Sequence, residues 1–462
     1  MMLKDRALAD LRAERAALLA DFEAWQRRAS ATGDLKQHHS QVERVTGCLR
    51  QVLELALSST ILGDPSISED LEALEQPRLA VGAVHAIWDF FRDKLAQRDT
   101  KRYADHLGAA DDLAWECYLP FLEQRVAAAR TEEEEKAIRA KVKEPPLVAY
   151  CPEQGLFAQS RQDAFRPPGL TAMDVQNFSA ALQRLPVPVI TLPWSQAGRA
   201  QRLSFVVHEA GHVVADDLEL NDEMKAKVQS LALSGDPKRW LEWLPEVFAD
   251  LFGTAALGSA YVDALATFLA TAESEVLSEQ VLPGRKYPTR ALRVALCCAA
   301  LKEMNLASYT LWDDAYEPPT PDNYVADCAL IAKALLSGSF QALNDKSIRD
   351  ILAWSAKDET NSDLIATLLP RNIAPAFKAS VRTWIAGAAK AQRQDPAVYA
   401  KAEVDRKALE SIVRQRGAGV RAGRTRALRR ESTDTPGLGD SAASREIAAL
   451  MGLVTRAEEE QP

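Results

Sequence analysis

The sequence is poor in cysteine and lacks long apolar runs. Its six cysteines are spread over 462 residues without the regular spacing of a disulfide framework, which indicates reduced thiols. Charged residues such as Asp263 and Arg293 interrupt the longest apolar stretches, so none offers the roughly 20 apolar positions that a membrane helix needs. The first residues, Met1–Arg6, lead into a charged pattern without an apolar secretory core. We therefore expect a soluble, cytoplasmic protein with no membrane partner.

The chain also lacks an excess of basic residues. Its 56 Lys and Arg against 65 Asp and Glu give a net charge of −9, which does not favour nucleic acid as a partner of the whole protein. Arginines cluster only near the C-terminus, among small residues and without aromatic side chains, at Arg414, Arg416, Arg421, Arg424, Arg426, Arg429 and Arg430. We expect residues 406–462 to form an arginine-rich, disordered tail, and contact of that tail with RNA, DNA or an acidic partner is the alternative.

Apolar residues recur at three- and four-residue intervals along most of the chain, which is typical of helices. The clearest predicted helices are 3–28, 37–57, 78–98 and 104–130. Two short segments, 147–150 and 186–193, have the composition of strands. The second is either an edge strand that could bind substrate or an ordinary buried strand.

The fold class predicted is therefore mainly α with a small β-sheet. Changes in composition divide the chain into an N-terminal helical domain (1–145), a central domain (146–310), a C-terminal helical region (311–405) and the tail (406–462).

The most informative stretch is His208-Glu209-Ala210-Gly211-His212, in a chain with only six histidines. Residues four positions apart share one face of a helix, so the two imidazoles can bind one metal ion. Glu209 falls beside that metal, where it can take a proton from a water that the metal acidifies and pass it to a leaving amine. Those roles define a zinc metallopeptidase. The alternative is a chance match between two core histidines that lie one turn apart.

A second segment supports the metal site. Glu246 and Asp250 lie one turn apart within Trp243–Gly253, among apolar neighbours that make a solvated face hard to form. Glu246 can supply a third metal ligand, and Asp250 can accept the free ring N–H of a ligating histidine. The small side chain of Ala249 would let two helices approach closely.

Together, His-Glu-x-x-His and the later Glu-x-x-x-Asp resemble the signature of the gluzincin metallopeptidases, over residues 146–310. The resemblance implies that His208, His212 and Glu246 bind zinc, that Glu209 is the general base and that Asp250 supports the ligands. It also implies a zincin-like core, in which the two motif helices pack together beneath a small sheet.

Other branches of the metallopeptidases fit less well. Metzincins need Gly and His where this chain has Ala215 and Leu218, and the Gly-x-Met-Glu-Asn motif of the gluzincin aminopeptidases is absent. The block Lys286–Arg293 is similar to a Pro…Arg block of the CAAX prenyl protease family. That family is membrane-embedded and has His-Pro where this chain has Tyr287-Pro288. We therefore expect this chain to share the catalytic arrangement of that family but not its substrate.

A peptidase also needs a donor for the oxyanion of the tetrahedral intermediate. No histidine follows His212, so we take Tyr287 as the first candidate. Arg290 and Arg293 come second, and Tyr261 is a further possibility. The alternatives are that Tyr287 only packs and that Arg293 pairs with a structural carboxylate.

The sequence thus predicts a zinc-dependent endopeptidase that acts on a protein or peptide substrate, with flanking helices that restrict or recruit it. A first alternative is a helical interaction or regulatory protein that keeps the zinc core without turnover, and the intact Glu209 counts against it. A second alternative is a nucleic-acid-binding protein that acts through the arginine-rich tail.

Overall fold

The computed structural model describes residues 3–30, 35–58, 74–151, 185–272, 284–306 and 323–415, with 275–276, 280–281, 444–445 and 447 in addition. Most of this part of the chain is helical, as the apolar periodicity predicts. The helices before the sheet are α1 Leu3–Arg28, α2 His39–Ser58, α3 Glu75–Ala96, α4 Lys101–Ala127 and α5 Glu132–Lys141. None of the described helices is both long and apolar enough to cross a membrane.

The central helices carry both predicted motifs. They are α6 Ser204–Asp217, α7 Asn221–Gln229, α8 Pro237–Leu257, α9 Ser259–Leu269 and α10 Arg290–Glu303. The remaining helices are α11 Asn323–Ala332, α12 Ile348–Leu352, α13 Ala356–Leu368, α14 Val381–Gln394, α15 Pro396–Lys401 and α16 Val404–Gln415.

The two predicted strands form a small parallel sheet. β1 Leu147–Cys151 pairs with β2 Val189–Pro193, so that Leu147 lies opposite Val189. Both strands are almost fully buried, as is typical of parallel pairs. Val148 and Ile190 face one hydrophobic core, whereas Leu147 and Val189 face another. The sheet therefore separates two cores, and the prediction of a mainly helical protein with a small sheet is confirmed.

The smaller core lies among α1, α2 and α3, with Phe22, Leu49 and Trp88 at its centre. The larger core extends from α4 to α16. Helix α4, in the predicted N-terminal domain, and the helices after residue 323 thus share one core with the central region. The buried cores consequently do not follow the boundaries predicted at residues 145 and 310.

The first part of the predicted tail, residues 406–415, belongs to a helix. Residues 404–415 form α16, whose Val404, Ala408 and Ile412 are buried, because apolar residues continue there at helical spacing. The rest of the tail lies outside the described residues, apart from 444–445 and 447. Of these, Ser444 and Ile447 are buried, and the Ser444 hydroxyl lies 3.2 Å from the Cys48 carbonyl oxygen of α2.

The two motif helices, α6 and α8, pack directly against each other. A Cβ atom at Gly211 would lie 3.0 Å from the Phe252 Cβ atom and 3.2 Å from the Ala249 Cα atom. A larger residue at either small position would push the helices apart. The close approach predicted from Ala249 is therefore present, and it brings the two motifs within reach of each other.

Candidate metal centre

The two histidines of α6 direct their ring nitrogens to one point. The Nε2 atoms of His208 and His212 lie 3.3 Å apart, and the ring planes stand at 85° to each other. His208 is buried, whereas His212 is half-buried. Because the residues are one helical turn apart, both rings lie on the face that α6 turns toward α8.

Glu246 of α8 completes a triangle with the histidines. Its Oε2 atom lies 3.2 Å from the His208 Nε2 atom, and its Oε1 atom lies 3.6 Å from the His212 Nε2 atom. Ligands at about 2.0–2.1 Å from a tetrahedral zinc ion are separated by about 3.3–3.4 Å. Within the described ranges, this is the one group of three or more His, Cys, Asp or Glu side chains that converges so closely.

The hydrogen bonding of Glu246 tests whether a metal fits. Its Oε2 atom is buried and, despite its 3.2 Å approach to the His208 Nε2 atom, makes no hydrogen bond of acceptable geometry within the described part of the chain. A buried carboxylate oxygen without a donor costs free energy, and a cation between it and two imidazole nitrogens would satisfy it. The donor set of two imidazoles and one carboxylate also suits zinc, so the residues present fit such an ion.

Asp250 lies behind the His208 ring. Its Oδ1 atom is 3.1 Å from the His208 Nδ1 atom, on the opposite side of the ring from Glu246. Asp250 is fully buried, and Arg293 donates two hydrogen bonds to it, from Nε at 2.7 Å and from Nη2 at 2.9 Å. The Tyr261 hydroxyl donates a third at 2.7 Å. The carboxylate is therefore held beside the Nδ1 atom of the His208 ring.

The charges of these groups are strongly coupled. Burial lowers the pKa of His208, but the neighbouring carboxylates of Asp250 and Glu246 outweigh burial and raise it to about 10. Burial and the neighbouring His208 lower the pKa of His212 to about 4. Burial raises the pKa of Asp250, but Arg293 outweighs it and holds that pKa well below its usual value. His208 thus holds a proton strongly because the Asp250 and Glu246 carboxylates flank its ring, and a metal ion at Nε2 would take the place of that proton.

Glu209 follows His208 on α6 and is also buried, with 5 % of its surface exposed. Successive helical residues are rotated by about 100°, which places Glu209 on the flank of the ligand face rather than on the face packed against α8. This position is compatible with the predicted general base.

The predicted oxyanion donors occupy different places. Arg293 of α10 is buried and held by Asp250, which favours the alternative that it pairs with a structural carboxylate. Tyr261 is likewise turned toward Asp250 and the His208 Nδ1 atom, away from the ligand triangle. Tyr287 is 45 % exposed, and its ring centre lies 5.5 Å from the Arg293 guanidinium carbon. Arg290 is half-buried at the start of α10. The roles of Tyr287 and Arg290 stay predictions.

Sequence reasoning did not assign the glycines that shape this centre. Gly211 permits the approach of α6 and α8, and a Cβ atom at Gly253 would lie 2.5 Å from the Tyr261 ring. The positions of both glycines inside helices were the available signal, because glycine weakens a helix unless close packing requires it.

No protein-family profile, curated protein or solved structure matches the chain. The resemblance of the two motifs to gluzincins therefore stays a prediction, and the geometry of the site carries the functional argument.

Proposed function

We propose that the protein is a zinc-dependent endopeptidase. The observation that supports this proposal is the triangle of His208 Nε2, His212 Nε2 and Glu246 oxygens, with separations of 3.3, 3.2 and 3.6 Å. The same two imidazoles and carboxylate could also hold ferrous iron. Glu209 favours zinc and hydrolysis, because iron oxygenases need no general base beside the first histidine.

Each residue has a defined part in the proposed reaction. Zinc, when bound, acts as a Lewis acid that lowers the pKa of water and polarises the peptide carbonyl. Glu209 accepts the proton of the attacking water and later gives it to the leaving amine. Asp250 holds the His208 ring in the orientation that keeps Nε2 directed at Glu246 and His212.

The substrate proposed is a protein or peptide. Tyr287 is the proposed donor to the oxyanion, because its exposed ring lies beside the Arg293–Asp250 pair that supports His208. The flanking helices are proposed to restrict or recruit the substrate.

A zinc-binding interaction protein without turnover is the competing function. Glu209 argues against it, because a purely structural zinc site gains nothing from a buried carboxylate next to its first ligand.

The experiment compares wild type with Glu209→Gln and with a matched control, Glu219→Gln. Glu219 follows α6, and its side chain is 60 % exposed. We expect about one zinc per chain by elemental analysis in all three proteins. We also expect new peptide termini by mass spectrometry from wild type and control, but at least 100-fold slower cleavage by Glu209→Gln, on the order of a lost general base. A chain without zinc would refute the proposal, and a zinc-loaded wild type that cleaves no peptide pool would establish the silent alternative.

A further inference from the structure

The Tyr261 hydroxyl lies behind the His208 ring in a fully buried position. Its oxygen is 3.1 Å from the His208 Nδ1 atom and 2.7 Å from the Asp250 Oδ1 atom. The Tyr261 side chain has no exposed surface, so water cannot replace either contact. The sequence motifs do not include this tyrosine, and the proposed reaction does not use it.

The direction of each hydrogen bond follows from the donors that are available. Arg293 donates a hydrogen bond to each carboxylate oxygen of Asp250, so this carboxylate acts as an acceptor. The single phenolic proton of Tyr261 is therefore donated to Asp250, and its oxygen lone pairs are left to face His208. The His208 Nδ1 atom thus meets two acceptors at 3.1 Å, from Asp250 and from Tyr261.

The consequence is a defined tautomer of His208. An imidazole that binds a metal is neutral and carries one proton, and the two acceptors at Nδ1 place that proton there. The Nε2 atom then keeps its lone pair and is directed toward Glu246 and His212. This is the tautomer that metal binding through Nε2 requires.

The fold positions the tyrosine ring through two glycines. Gly253 of α8 leaves the space that the ring occupies, since a Cβ atom there would lie 2.5 Å from it. Gly258, with a φ of 58°, makes the turn from α8 to α9. The Glu359 carboxylate accepts the Ser259 N–H at 2.8 Å, which fixes the first turn of α9.

We propose that Tyr261 is a positioning residue of the metal centre, which shares the Nδ1 proton of His208 with Asp250 and so directs Nε2 to the metal. This inference rests on the proposed function only in that the centre binds zinc. The inference adds a second group that orients His208: the Tyr261 hydroxyl of α9 acts beside the Asp250 carboxylate of α8.

The test is the zinc affinity of Tyr261→Phe, measured by competition with a chromophoric chelator. We expect about tenfold weaker binding, the lower end of the range for groups that support metal ligands. The matched control is Tyr399→Phe. Tyr399 is also buried, and its hydroxyl donates a hydrogen bond to the Asp405 carboxylate, which does not contact the proposed metal ligands. Equal affinities of the two variants would overturn the proposal.

A second measurement needs no variant and guards against misfolding of Tyr261→Phe. In zinc-loaded wild type with ¹⁵N-labelled histidine, the proposal requires His208 to bind metal through Nε2 and to carry a slowly exchanging Nδ1 proton. Metal on Nδ1, or a rapidly exchanging Nδ1 proton, would contradict it. If wild type binds no zinc at all, the proposed function fails, whereas zinc binding that is insensitive to Tyr261 overturns only this inference.

Discussion

The Glu246 Oε2 atom lies 3.2 Å from the His208 Nε2 atom, although the two residues belong to different helices. The contact exists because Gly211 and Ala249 let α6 and α8 approach closely. It joins the two sequence motifs into one centre, so that the contribution of each proposed ligand to metal affinity can be measured.

Replacing Glu246 should abolish tight metal binding. In Glu246→Gln the charge of the third ligand is lost, and we expect zinc affinity to fall by more than about 100-fold, beyond the usual effect of supporting groups. Isothermal titration would measure it. The control is Glu242→Gln, one turn earlier on the same helix, where the side chain is 49 % exposed and pairs with Arg239. Retention of full affinity by Glu246→Gln would exclude Glu246 as a ligand.

Removing Asp250 should destabilise the fold more than removing both members of its ion pair. Asp250→Ala leaves the buried Arg293 without its carboxylate, which should cost about 3–5 kcal/mol of the free energy of unfolding. Asp250→Ala with Arg293→Met removes the uncompensated charge, so we expect it to be more stable than the single variant. Urea unfolding of metal-free protein measures both. A double variant less stable than Asp250→Ala would show that the buried charge is not the cause.

Replacing either of two helical glycines with alanine should change the free energy of unfolding, but in opposite directions. Gly211→Ala forces a Cβ atom against Phe252 and Ala249. We expect it to lower the free energy of unfolding by about 1–3 kcal/mol and to weaken zinc binding. Gly82 in α3 has nothing within 4 Å of the added Cβ position, so Gly82→Ala should gain about 0.5–1 kcal/mol. Thermal unfolding of both variants checks the pair. Equal stabilisation would mean that α6 and α8 do not meet at Gly211.

The protein should lose stability on mild acidification, in part through His106. Burial lowers the pKa of His106 to about 4, and a hydrogen bond to the Arg199 carbonyl opposes that shift only in part. An unfolded histidine titrates near 6.5, so between about pH 6.5 and 4 the unfolded chain binds the additional proton. The free energy of unfolding therefore falls as the pH falls through this window, by roughly 3 kcal/mol in total from this group.

The contribution of His106 is isolated by comparing wild type with His106→Gln in chelator at several pH values. The difference in free energy of unfolding between the two should shrink as the pH falls from 6.5 to 4. Parallel curves would show that His106 is not the group responsible.

Tyr287 should affect turnover more than binding. If its hydroxyl donates to the oxyanion, Tyr287→Phe should lower kcat by about 10²–10³ with little change in KM. Steady-state kinetics on a cleaved peptide would decide this. Unchanged kcat would support the alternative that Tyr287 only packs against Arg293.

Much of the helical framework could be predicted because a helix needs only local periodicity. The predicted helix 3–28 coincides with α1, and the helix predicted at 104–130 overlaps α4. The grouping of helices around each core could not be predicted from local periodicity. Whether α4 packs on α3 or on the central helices depends on contacts between residues far apart in sequence, and no local pattern reports them.

The ligand spacing was predictable from sequence by itself. The step of four positions from His208 to His212 places both rings on one helical face wherever that helix lies, and the same rule pairs Glu246 with Asp250. The type of each side chain also limits its chemistry, since two imidazoles and a carboxylate can bind a metal ion and a carboxylate such as that of Glu209 can act as a base.

Only the tertiary structure decided how these parts meet. It placed Glu246 opposite the histidines, directed Arg293 to Asp250 and brought Tyr261 behind His208. These relationships join residues from α6, α8, α9 and α10, whose mutual positions depend on side-chain packing at Gly211 and Gly253. Packing of that kind depends on the shapes of surfaces that are distant in sequence, which is why periodicity and spacing do not contain it.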